Sequence, residues 1–369
     1  MNFDLSQLPK HPNVQTNPCA FETTAMSSAY YIRDGYLSQD LVRIKLIRGN
    51  TQFQISIKSA DIQHTTLGKK FLVLLNEYLR LEQHDMDAYM RPLDLILGHF
   101  LEVLMELAPE VEVKGSSIES FVYAPTYKLE SFGMASGDEV GIRGTEECFY
   151  EPGYDIAPLS VLEAPDSWTA ILKTKARDLY LVREEQELNP LKSLQGKVQT
   201  TEGREKFFKP RERGREKEFS RGVEMLLRIK EKRLAGSVHR LPVLESLVVA
   251  GEYQDQVIVG FLVNFIVSPS LGSHLLSPGI KSQTTLHQKW ENQVRETVKM
   301  LHEYDIVWGD VNPCNVVIDE KLDAWVIDFG GRNNAEFVDD DKAETKEGDW
   351  QGVQRLFGEW LSGGGDLEI

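Results

Sequence analysis

The chain has 369 residues, 41% of them hydrophobic, with 41 Lys and Arg against 57 Asp and Glu and a formal net charge of −16. That length allows one large domain or two ordinary ones with sizeable cores. The acidity argues against general binding to nucleic acid or anionic membranes, whose phosphates attract cations.

Three cysteines, Cys19, Cys148 and Cys314, are scattered without CxxC spacing. They suggest neither a disulfide framework nor a zinc site, and an intracellular, reducing home fits. No basic segment followed by an apolar run opens the chain, and Val257 to Val267, among its longest apolar stretches, is too short to span a bilayer.

Residues 1–25 are polar and read as a disordered tail, and residues 26–165 as an α+β region of unnamed role. Leu41 to Ile47 and Phe53 to Ile57 alternate apolar and polar residues around Gly49-Asn50, which predicts a β-hairpin. From Leu67 the period becomes helical. Phe71, Leu74, Leu75 and Tyr78 share one face, and Leu93, Leu97, Phe100, Leu101 and Leu104 share another. Pro92 and Pro109 read as helix ends, and Ser120 to Tyr123 as a short strand. His64, His84 and His99 are lone histidines, read as surface or satisfied core residues. Arg204 to Arg233 interleaves Lys and Arg with Glu, the pattern of a solvated helix laced with ion pairs rather than a nucleic-acid surface. The chain has no GxGxxG, Walker-type, HExxH or GxSxG motif.

The strongest signal lies near the C-terminus. Trp290, Val294, Val298 and Leu301 form an apolar stripe at helical spacing. Ile306 and Val307 then lead to a turn bearing Asp310. Asn315 precedes a short strand, Val316 to Ile318, and a second strand, Trp325 to Ile327, delivers Asp328. Hairpin strands therefore bring two carboxylates and an amide into one cleft. Phosphoryl transfer needs such a set, because its loose transition state is catalysed by positioning and charge neutralisation. Asp310 suits the orientation and deprotonation of an attacking hydroxyl. Asn315 and Asp328 suit Mg²⁺, a hard cation that prefers oxygen ligands.

This segment resembles the catalytic loop and metal-binding DFG motif of the protein-kinase superfamily. It is similar to a group of kinase-like proteins frequent in filamentous fungi. The matching pieces are Ile306-Val-Trp-Gly-Asp, Asp323-Ala-Trp-Val-Ile-Asp-Phe-Gly-Gly and Glu344-Thr-Lys-Glu-Gly-Asp. The resemblance implies an α+β, bilobal kinase-like fold over 166–369, preceded by the smaller α+β region. The β-rich N-lobe would span about 166–267 and a shortened helical C-lobe about 268–369. It implies ATP and Mg as cofactors and a protein substrate or partner. Strands at Lys197 to Thr201 and Glu205 to Pro210 would flank Gly203, followed by strands at Leu247 to Ala250 and Val257 to Phe265. Lys209 would contact the ATP phosphates, with Lys206 as the other candidate. Backbone groups of Asn264, Phe265 and Ile266 would meet adenine, and Asp349 would brace the catalytic loop.

Several features depart from the family pattern. Gly196 and Gly203 are the candidate glycines where a glycine-rich loop is expected. Gly222 stands where the lysine's helical glutamate partner belongs, so Glu218, one turn earlier, is the ion-pair candidate. Trp308-Gly309 replaces His-Arg, and Asn312 replaces a lysine that steadies the γ-phosphate. The stretch from Asp328 to Asp349 is short and lacks Ala-Pro-Glu. The resemblance implies an ATP- and Mg-dependent phosphotransferase, of Ser/Thr protein-kinase type. Two alternatives stay open: a pseudokinase interaction module, and a small-molecule kinase of the aminoglycoside or choline type, whose His-Gly-Asp is similar to Trp308-Gly-Asp.

Overall fold

A computed structural model describes residues 30–81, 85–109, 116–134, 138–146, 156–182, 194–252, 255–332 and 334–362. The expected tail, His84, Cys19 and Cys148 lie outside the described residues.

The first layer is a five-stranded sheet in the order β1 (Tyr31–Leu37), β2 (Leu41–Arg48), β3 (Thr51–Lys58), β4 (Thr126–Gly133) and β5 (Val140–Glu146). The β2–β3 hairpin turns at Gly49, whose φ of 57° is in the left-handed region that glycine tolerates. Alternation does the rest: Val42, Ile44, Leu46, Phe53, Ile55 and Ile57 face the core. The β3–β4 pair is parallel and therefore needs a long crossover. That crossover carries α1 (Ser59–Ile62), α2 (Thr66–Leu79), α3 (Met86–Leu107) and α4 (Ile118–Val122). Phe71 and Leu75 of α2, with Leu93, Leu97, Phe100 and Leu104 of α3, cover the sheet.

Two expectations fail here. Pro92 lies inside α3 rather than at its end. It forfeits one backbone bond, but it is buried beside Leu93 in a helix of 22 residues, whose packed apolar face outweighs that loss. Ser120 to Tyr123 is not a strand: Ser120 to Val122 belong to α4, and Tyr123 ends it. Ser117 caps that turn by accepting the Ser120 N–H, and Phe121 and Val122 are driven into a core instead of onto a sheet.

The second sheet orders β7 (Lys173–Lys175), β11 (Leu244–Ala250), β12 (Val257–Asn264), β10 (Glu205–Pro210), β9 (Gly196–Thr200) and β8 (Leu179–Leu181), with β6 (Leu159–Ser160) also on β12. Its central strands are buried on both faces, which is why they read as continuous apolar runs. Leu247, Val249 and Phe261 meet α5 (Glu216–Glu231) through Phe219, Val223, Leu226 and Ile229. Val248, Ala250, Val259 and Leu262 meet Phe121 and Val122 of α4 on the other face. Only part of the charged 204–233 segment is helical: its first residues form β10. Arg228 and Lys230 of α5 donate to the carbonyls of Asp305 and Leu244 instead of pairing along the helix.

The remainder comprises α6 (Pro278–Lys281), α7 (His287–Glu303), a β13–β14 hairpin (Val316–Ile318, Ala324–Val326) and α8 (Lys346–Arg355). The predicted stripe Trp290, Val294, Val298 and Leu301 is fully buried. Each such side chain contributes about 1.5–3 kcal/mol of burial. The chain is thus a mixed α+β protein. No helix among the described residues is long and apolar enough to cross a membrane.

Gly260 lets β12 pair with β10. A Cβ there would sit 2.3 Å from the Phe208 ring and 2.6 Å from the Lys209 carbonyl oxygen, and backbone cannot swing aside. Gly260→Ala is expected to cost about 1–3 kcal/mol, read as a lowered urea midpoint with an unchanged slope.

Candidate active site

The loop after α7 is fixed by one carboxylate. Asp349, in the first turn of α8, is 1% exposed. Its Oδ2 accepts the Trp308 N–H and its Oδ1 the Gly309 N–H, both at 2.8 Å. His302 Nε2 lies 2.8 Å from the same Oδ2. The Trp308 side chain is fully buried, and its indole N–H donates to the Ile327 carbonyl at 2.8 Å. The loop is thereby tied to the strand that leads to Asp328. The Ile327 N–H in turn donates to the Asn315 carbonyl at 3.0 Å, so β13 and β14 carry Asn315 and Asp328 side by side.

Asp310 and Asn315 are laced together. The Asn315 amide donates through Nδ2 to the Asp310 carbonyl at 2.9 Å. Asn312 Nδ2 donates to the Asp310 carboxylate at 3.0 Å, while Asn312 Oδ1 caps the following turn through the N–H groups of Cys314 and Asn315. Asn312 therefore does more than remove a cation. Asn followed by Pro313 is a helix-cap signature, and that signal was available in the sequence. His302 carries no local signal, because its role depends on α8 docking across α7.

The two carboxylates are driven apart in acidity. Burial, then the charge of Asp328, push Asp310 up to about 7, against the pull of Asn312, Asn315 and Lys209. Burial also works to raise Asp328, but the charge and hydrogen bond of Lys209 and the Gly330 N–H outweigh it and hold that carboxyl below the usual range. Asp328 has a φ of 59°, a left-handed conformation that is strained for a non-glycine residue.

Lys209 projects from β10 and its ammonium contacts Asp328 Oδ1. Lys206, three residues earlier on the strand, pairs with Glu245 instead. Glu218 is not brought to Lys209; its backbone carbonyl borders Gly330, and Gly222 packs against the same glycine. Asn264 is engaged inside the molecule, its N–H donating to the Val243 carbonyl and its Oδ1 accepting the Val243 N–H. Phe265 and Ile266 follow beyond the end of β12, with Lys197 Nζ 4.8 Å above the Phe265 ring. The cysteine spacing suggested no disulfide framework, yet Cys314 is disulfide-bonded.

No protein-family model and no curated protein matches the chain. Among solved structures, a MAP kinase from Leishmania major is similar at 15% identity and a TM-score of 0.32. The likeness covers 44% of this chain and 50% of that one, so the chain spans about half that protein's length.

Two outcomes follow from this geometry. Asp349→Ala strands two backbone N–H groups and is expected to cost about 3–5 kcal/mol, measured by chemical denaturation. The second concerns pH. Asp310 titrates near 7 in the folded chain against an ordinary 3.8, so between those values the native state binds the extra proton. Its contribution to stability falls as pH rises from about 4 to about 7. Asp310→Asn is expected to flatten that fall in denaturation curves taken at intervals across the window.

Proposed function

We propose that this chain is a kinase-like, ATP- and Mg²⁺-dependent phosphotransferase acting on a hydroxyl, of the Ser/Thr protein class that the sequence resemblance implies. The observation that carries this reading is the single electrostatic cluster of Lys209, Asp310 and Asp328, interlocked with Asn315. A cation, an elevated carboxyl and a depressed carboxyl are the unequal parts that acid–base work beside phosphate requires.

In this reading Asp310 orients the acceptor hydroxyl and takes its proton, and an acidity near neutrality suits a base working at physiological pH. Asn315 spends its Nδ2 on the Asp310 backbone, which leaves Oδ1 as the atom available to a cation. Asn315 and Asp328 would hold Mg²⁺, whose charge neutralises phosphate oxygens during transfer. Among the described residues no group of three or more His, Cys, Asp or Glu could hold a metal ion. Lys209 would exchange Asp328 for the nucleotide's phosphates, and the strand ends at Phe265 and Ile266 would border adenine.

One observation favours a second reading, nucleotide binding without transfer: Lys209 lies on Asp328, and Gly222 leaves no carboxylate at the helical position that would draw it away. One experiment decides between them. Purified protein is incubated with labelled ATP, Mg²⁺ and a generic Ser/Thr substrate, beside Asp310→Ala. The expected outcome is transfer that collapses in the variant and that rises in the wild type through an apparent pKa near 7. Thermal stabilisation by ATP, amounting to about 2.7 kcal/mol at 100 Kd, without transfer supports the second reading. Neither transfer nor stabilisation rejects both.

A further inference from the structure

Arg221 stands on α5 immediately before Gly222, and its side chain is 19% exposed. Its Nη2 donates to the Val307 carbonyl at 3.2 Å, and its Nη1 to the Trp308 carbonyl at 3.2 Å and to the Phe329 carbonyl. Its Nε lies 3.8 Å from Glu344 Oε2. Three carbonyls from the two loops that present Asp310 and Asp328 thus converge on one guanidinium.

The glycines around it make room for this. Gly309 has a φ of 80°, and a Cβ there would lie 2.6 Å from Arg221 Nη2. Gly331 has a φ of 70°, and a Cβ there would lie 2.9 Å from Arg221 Nη1. Both glycines flank the acidic residues in Trp308-Gly-Asp and Asp328-Phe-Gly-Gly, so the spacing of these motifs includes a socket for the arginine.

The carbonyls that Arg221 takes are paired with the N–H groups that Asp349 takes. The peptide linking Val307 to Trp308 gives its C=O to Arg221 and its N–H to Asp349. The next peptide, Trp308 to Gly309, does the same. Two successive peptide planes are clamped between a buried anion and a planar cation, immediately before Asp310. A charged donor strengthens such bonds, and the guanidinium fork fixes orientation as well as distance.

We propose that Arg221 is a positioning residue that couples α5 to both acidic loops, in the place of the lysine–glutamate pair that Gly222 precludes. The proposal rests on the phosphotransferase reading for its kinetic test only. With Phe329 held, Asp328 keeps its left-handed conformation; with Val307 and Trp308 held, Asp310 keeps its aim.

The test compares full-length Arg221→Met, Arg221→Lys and Arg228→Met. Arg228 lies on the same helix and donates to the Tyr304 and Asp305 carbonyls, ahead of the clamped peptides and not to them. The expected result is a loss in kcat on the order of 100-fold for Arg221→Met, with KM for ATP held within about threefold, because misaiming a catalytic group harms the transition state rather than ground-state binding. Arg221→Lys, a cation without the fork, recovers only part of that loss, and Arg228→Met stays within about threefold of wild type. If Arg221→Met does not fold, Arg221→Lys carries the same comparison. Amide exchange is measured alongside, and faster exchange confined to 307–310 and 328–331 in the Arg221 variants supports the proposal even if the wild type transfers no phosphate. In that case the phosphotransferase reading alone fails. Equal effects of the Arg221 and Arg228 variants, or unchanged exchange in both loops, overturn the coupling.

Discussion

A carboxylate buried among backbone amides organises this molecule. Taking an anion such as Asp349 out of water costs several kcal/mol unless hydrogen bonds replace its hydration. Here the replacements are the N–H groups of Trp308 and Gly309 and the ring of His302. Because the N–H donors belong to one loop and the acceptor to the start of α8, that loop has a single satisfactory position. Trp308 extends the constraint to β14, and Ile327 and Asn315 extend it to β13.

On that frame the site separates two like groups by their surroundings. Asp310 faces burial and a neighbouring anion, whereas Asp328 faces burial with an ammonium and an amide N–H to offset it. The unfavourable features gather in the same place: a left-handed Asp328 and a carboxyl raised toward neutrality. Strain and displaced acidity cost stability, and their concentration beside Lys209 and Asn315 is what a working site would need.

What could be read from the sequence was local. Alternation located the β2–β3 hairpin, helical spacing located the Trp290–Leu301 stripe, and the Asp310, Asn315 and Asp328 spacing anticipated residues that the β13–β14 hairpin holds together. What could not be read was tertiary. Pro92 looked like a helix end because local chemistry disfavours it, yet packing retained the helix. Ser120 to Tyr123 looked like a strand by composition, but a cap and a waiting core made it helical. The partner of Lys209 depended on how closely α5 approaches Gly330, a distance that no spacing rule encodes. Arg221 gave no signal at all, since every group it contacts by hydrogen bond lies more than 80 positions away.

The short helix α4 has a consequence for how the two sheets relate. It belongs by sequence to the crossover of the first sheet, yet Phe121 and Val122 fill the face of the second that α5 leaves open. Ser117 bridges to Tyr180, and Glu119 accepts the Gly251 N–H. Ile47 of β2 joins the same cluster. The helix acts as a keystone: a chain cut between β5 and β6 would leave one fragment with a greasy spur and the other with a bare sheet face. The N-terminal layer, through Ile47, Phe121 and Val122, thus serves as a structural wall of the half that carries the acidic cluster.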